Sequence, residues 1–139
     1  MRVLFALLLG LAGCAATPVP ENHDAVVVVS GGELGHFAVH IERDDSVLVR
    51  HHTGISHQPE PEPQIIVGAY ARALEVVRRK GPAAMAAAGP SGPNCYEWGS
   101  DMVRVLPPLP EFDTFSRECP NPVLIQLMVD ILAAVPVTP

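Results

Sequence analysis

The chain is predicted to fold as an α+β domain: a mostly antiparallel sheet of about five strands with two helices packed on it. Three observations predict this. Short β-branched or alternating runs come first, at residues 25–29, 37–41 and 47–49. A segment with apolar residues at helical spacing follows at 64–80. A second strand-like pair then precedes a closing apolar helix that starts near residue 121.

Taken in order, Ala25 is followed by four valines and the run ends at Ser30-Gly31-Gly32, which predicts a strand covered on both faces. Phe37, Val39 and Ile41 alternate with His36, Ala38, His40 and Glu42, the pattern of a half-buried strand. Asp44-Asp45 marks a turn, and Val47 and Val49 carry the apolar face into a third strand. A two-residue loop would set Ile41 against Leu48. A three-residue loop, Asp44 to Ser46, pairs Ile41 with Val49 and is preferred because it matches apolar to apolar. Pro59, Pro61 and Pro63 alternate with Glu60 and Glu62 in an extended linker.

Gln64 to Lys80 is predicted as a helix with Ile66, Ala69, Tyr70, Ala73, Leu74 and Val77 as its apolar stripe and Gly81-Pro82 as its stop. Glu60 and Glu62 would favour its amino end, and Arg78, Arg79 and Lys80 its carboxyl end. Pro82 to Pro93 reads as a loop with room for one helical turn at Ala83 to Ala88. Cys95–Trp98 and Met102–Leu106 read as a hairpin around Gly99-Ser100-Asp101, with Trp98 as a core anchor and Pro107, Pro108 and Pro110 ending the sheet. Asn121 caps the last helix and Pro122 takes its first position. That helix is apolar nearly all round but too short to span lipid, which takes roughly 20 residues, so it is expected in the core.

The amino end sets the location. One cation, Arg2, precedes the apolar run Val3 to Leu11, the charged and hydrophobic regions of a secretory signal. The following Leu11-Ala12-Gly13-Cys14 resembles the lipobox of bacterial lipoproteins. That resemblance implies cleavage before Cys14, a diacylglycerol on its thiol and acylation of the new amine. Two or three acyl chains, each buried methylene contributing about 0.8 kcal/mol, hold a domain on a membrane without a spanning helix. Residues 1–13 are thus expected to be a signal peptide, 14–24 a tether and 25–136 a single domain. The alternative is an ordinary secretory signal cut near Ala15-Ala16. Ala15, where an Asp would favour inner-membrane retention, favours the outer membrane on its periplasmic side.

Removing residues 1–13 from the 139 leaves 126, enough for one core, and loss of Arg2 takes the formal charge from −6 to −7. An acidic mature chain carries no nucleic-acid footprint and no polybasic membrane patch. Cys95 and Cys119 remain in an oxidising compartment and are expected to form a disulfide, worth roughly 3 kcal/mol for a loop of about 25 residues; a reactive thiol is the rival reading.

The preferred register puts His36, His40, Glu42, Arg50 and His52 on one face, with His52 across from Ala38 and diagonal to both other histidines. A zinc or copper site at His36, His40 and His52 is the chemical reading, since imidazole suits both metals. The plain reading is the wet face of an antiparallel sheet. No nucleophile elbow, Walker loop or HExxH occurs, so no catalytic residues are assigned. The order of a Val-rich strand running into Ser-Gly-Gly-x-x-Gly, a hairpin, a helix and a Tyr-containing hairpin resembles the emfourin-type protein inhibitors of thermolysin-like peptidases. That implies a metallopeptidase partner, with no contact residue carried over. The expectation is a binding or interaction module for a possible protein partner, not an enzyme, with no cofactor besides the covalent lipid.

Overall fold

The computed structural model describes residues 23–32, 35–52, 59, 61–90 and 99–137. Cys14, the signal, Cys95 and Trp98 lie outside the described residues. The elements run β1 (Ala25–Gly32), β2 (Gly35–Glu42), β3 (Ser46–His52), β4 (Gln64–Ile65), α1 (Ala69–Ala87), β5 (Ser100–Leu109), β6 (Phe112–Arg117) and α2 (Pro122–Ala134). The strands form one antiparallel sheet in the order β4-β3-β2-β1-β5-β6. This is the α+β architecture that the patterning predicts, with six strands and two helices.

The core lies between the sheet and the two helices. Val26 and Val28 of β1, Val39 and Ile41 of β2, Val47, Val103, Val105, Phe112 and Phe115 meet Ala69, Ala73, Val76 and Val77 of α1 and Leu124, Leu127, Met128 and Ile131 of α2. Both helices therefore cover the same sheet face. Each fully buried Val or Leu contributes roughly 1.5–3 kcal/mol, and no polar residue is buried among the described ones.

Several expectations are corrected by packing. The β2–β3 loop is Arg43 to Asp45, so Ile41 pairs with Val47 and Val39 with Val49. Asp45 takes the left-handed position, at φ 67°. Because the shift is two residues, each side chain keeps its expected face. Gln64-Ile65 is a short strand against Ser46 and Val47, and α1 starts at Ala69.

The helix continues through Gly81-Pro82 to Ala87. Pro82 forgoes one backbone bond, but alanines, the best helix formers, follow it, and Gly81 allows Phe112 to pack against the helix: a β-carbon there would lie 2.6 Å from the ring. The first turn of α1 has no acidic residue and the last no basic one. Instead Asp45 caps the amino end from the β2–β3 turn, its carboxylate accepting from the Gly68 and Tyr70 amides at 2.6 and 3.1 Å.

Of the expected hairpin around Gly99 to Asp101, Cys95–Trp98 lies outside the described residues, and Ser100 and Asp101 belong to β5. β5 runs on through Pro107 and Pro108, with an irregularity in pairing between Arg104 and Leu109, and turns into β6. A sheet tolerates proline at such an irregularity, where ladder bonds are already missing. α2 follows its signals: the Asn121 side chain accepts from Val123 and Leu124 amides, both at 3.1 Å, and Pro122 opens the helix.

Candidate functional site

Strand directions gather functional candidates at one end of the sheet. β1 ends there, β2 begins there, β3 ends there, β5 begins there and β6 ends there. The chain positions 33–34, 53–58 and 91–98, which adjoin these ends in sequence, fall outside the described residues. Gly31 and Gly99 hold the end together by backbone contact: Gly99 sits at φ 78°, and a β-carbon on it would overlap the Gly31 carbonyl. The Ser30 hydroxyl donates to the Asp101 carboxylate at 2.7 Å across the β1–β5 pair. The Phe37 and His51 rings lie 5.6 Å apart on the helix side.

Arg117 closes this end. Its guanidinium donates to the Ser116 and Gly89 carbonyls, both at 2.8 Å, and stacks over Phe115 at 5.0 Å. Its Nε is buried and makes no hydrogen bond. A cleft of about 790 Å³ lies beside it, lined among others by Val29, Met102, Ser116, Arg117 and Cys119. Cys119 is thus at the cleft wall, while its expected partner Cys95 lies outside the described residues.

No described element covers the other face of the sheet. Reading across it, Leu48, His40, Val27, Arg104 and Thr114 form one cross-strand row, and Arg50, Ala38, Val29, Met102 and Ser116 the next. Half-burial pushes the His40 imidazole below its ordinary range, the Arg50 charge pushes it the same way, and the Glu42 carboxylate opposes both.

The expected trio of histidines is not brought together. His52 pairs directly with His36 instead of Ala38, and His40 pairs with Leu48, four residues further along the strand. Four residues in a strand span roughly 13 Å, beyond the reach of a single ion's ligands. Arg50 occupies the row between them and adds repulsion toward a cation. Among the described residues no group of three His, Cys, Asp or Glu side chains could hold a metal ion.

The described chain begins at His23 and Asp24. Arg43 fastens Asp24 through its guanidinium at 2.8 Å and its amide at 2.9 Å. No helix among the described residues is long and apolar enough to cross a membrane. The sequence reading missed Arg104, Ser30 and Arg117 as site residues, because they join the others only through the β1–β5 and β5–β6 pairings. Comparison with known proteins gives no match: no family model, no curated protein and no solved structure is similar to this chain.

Proposed function

We propose that the protein is a membrane-anchored periplasmic lipoprotein whose single domain is a binding module for another molecule, not an enzyme. The observation that carries the binding half is the one-sided architecture: both helices pack on one sheet face, and the opposite face holds a mixed apolar and charged surface with no described element over it. The lipobox residues Leu11 to Cys14 support the anchor, with the outer membrane favoured. Cys95 and Cys119 form the disulfide in this reading, tying the segment before β5 to the start of α2.

Mass spectrometry of the protein made in a bacterial host tests both proposals. The expected product begins at Cys14 with lipid on its thiol and amine, and the remaining two cysteines lack two protons until reduced. An intact Met1 or a free thiol at Cys14 refutes the anchor, and two free thiols refute the disulfide.

A second reading is supported by the Gly31–Gly99 contact, which fixes the Ser-Gly-Gly segment at the end of the sheet where β1 ends and β5 begins. In that reading the segment belongs to a protein inhibitor of a metallopeptidase. Titration of a thermolysin-like peptidase with the protein tests it: stoichiometric loss of activity supports it, and full activity at excess inhibitor removes it.

A further inference from the structure

We infer that one corner of the domain rests on the lipid bilayer: the outward line of α2 that ends near Ala133, with Val67 and Ile65 just before α1, is the surface the anchored domain turns toward zwitterionic lipid. This rests on the lipoprotein reading above and adds which part of the fold meets the membrane.

The composition of α2 is the first observation. Its 13 residues include a single ionisable side chain, Asp130, and Lys80 of α1 holds that one at 2.6 Å. Ile125, Val129 and Ala133, spaced one turn apart, are exposed, Ile125 at 41% and Val129 at 51%. The exposed side of α1 instead carries Arg72, Glu75, Arg78 and Arg79. Apolar residues scattered singly on a surface are ordinary, whereas an uncharged line along a helix fits a covering apolar phase.

Continuity with the start of the domain is the second. The Arg72 guanidinium donates to the Ala134 carbonyl at the end of α2, at 2.7 Å, and to the Val67 carbonyl, at 2.9 Å, so the two segments meet there. Val67 and Ile65, two residues apart, are 83% and 68% exposed. Gly68 is held by Asp45 of the β2–β3 turn, and Arg43 of that turn holds Asp24 beside the first residue of β1. Four of the five large apolar residues exposed among the described ones therefore lie on the two segments joined by Arg72. Met85, the fifth, sits about 24 Å along α1 from Ala69.

Reach selects a bilayer as the occupant. From Cys14 to His23 the chain extends at most about 30 Å, so an acylated Cys14 brings this end of the sheet to the membrane surface. A tether of that length makes the contact intramolecular, at an effective concentration on the order of millimolar, and a small apolar surface then suffices.

Charge selects the headgroup. On this end of the sheet Asp24, Glu42, Asp44, Asp45, Glu62 and Glu111 outnumber Arg43, Arg72 and Arg78, so anionic lipid is repelled and zwitterionic lipid fits.

The test tethers the protein to phosphatidylcholine vesicles in two ways. One arm uses its own lipid, as purified from a bacterial host. The other uses the chain from residue 14 with Cys14→Ser and a hexahistidine segment in place of residues 1–13, on nickel-chelating lipid. Val67→Cys, Val129→Cys and Met85→Cys each carry an environment-sensitive fluorophore, the parent is labelled in parallel to correct for native thiols, and dibrominated lipid quenches what touches the acyl chains. Quenching at 67 and 129 is expected to be at least about threefold that at 85, and to fall when a third of the lipid is phosphatidylglycerol. A thermal melt checks that each variant is folded, and Ile65→Cys stands in for Val67→Cys if that variant fails.

Equal quenching at all three positions, none at 67 and 129, or quenching only with phosphatidylglycerol overturns the proposal. Mass spectrometry reads the anchor separately: an unlipidated Cys14 with the contrast present on nickel vesicles refutes the anchor alone, and a lipidated Cys14 without the contrast refutes the contact alone. Sedimentation of the hexahistidine chain without vesicles as a dimer that Val129→Glu returns to monomer would replace the bilayer by a second copy.

Discussion

Asp45 is the residue whose removal should cost most for its size. It occupies a left-handed turn position at φ 67°, and its carboxylate accepts from the Gly68 and Tyr70 amides that open α1. Gly68, the residue at the helix cap, makes no side-chain cap bond, so the cap is supplied from 23 positions away. Asp45→Ala removes the cap, at about 1–2 kcal/mol, and the favourable charge at the helix dipole, at about 0.3–1 kcal/mol. It also puts an alanine in a left-handed conformation, for about 1 kcal/mol more. The expected loss is about 2–4 kcal/mol. Asp45→Asn keeps one acceptor and the turn conformation, and Asp45→Gly relieves the backbone while losing the cap, so each should lose about 1 kcal/mol. Urea unfolding followed by circular dichroism measures the three differences. An alanine variant within about 0.5 kcal/mol of the parent, or one no worse than the asparagine variant, would refute the view that this turn caps the helix.

Three further outcomes follow from the same geometry. Gly99→Ala and Gly89→Ala both place alanine at positive φ, 78° and 69°, but only the first meets backbone, so the first should lose at least about 3 kcal/mol and the second about 1 in the same assay. Gly81→Ala should lose about 1–3 kcal/mol, because its methyl meets the Phe112 ring at 2.6 Å, and Phe112→Leu should recover part of that loss in the double variant. The Lys80 ammonium donates to Asp130 at 2.6 Å and holds its carboxyl below the usual range. A depressed carboxylate gives stability that is present above the unfolded-state value and lost as pH falls through the folded one. Acid melts should therefore show the parent losing a few tenths of a kcal/mol more than Asp130→Asn below about pH 4, a small figure because the pair is solvent-accessible.

The sequence carried the faces better than the ends. Alternation in β2 and β3 survives a two-residue change in register, so Phe37, Val39, Ile41, Val47 and Val49 stay on the helix side although the turn moved. The end of α1 was misread because Gly81-Pro82 is a stop signal only locally. The contact with Phe112, 31 residues away, makes the glycine useful inside the helix. Strand β6 was missed for a related reason: Phe112 and Phe115 are both buried, a spacing of three that breaks the two-residue period where pairing is irregular. β4, at two residues, has no period to read. The histidine trio failed on register, a quantity set partly by Asp45 reaching α1 and not by the alternation of β2 and β3.

The four valines of β1 meet two different surroundings. Their run predicted a strand covered on both faces, and the helices lie on one side, over Val26 and Val28. Val27 faces the other way and is still only 7% exposed; its paired neighbours are His40 and Arg104. Long polar side chains shield an apolar neighbour with their stems while their heads stay in water. Arg104 is therefore expected to cover Val27 with its stem. Arg104→Gln keeps most of the stem and Arg104→Ala removes it. Equal melting temperatures for parent and glutamine variants with a lower one for alanine would assign the stem to the fold. An alanine variant that melts with the parent would refute this shielding of Val27.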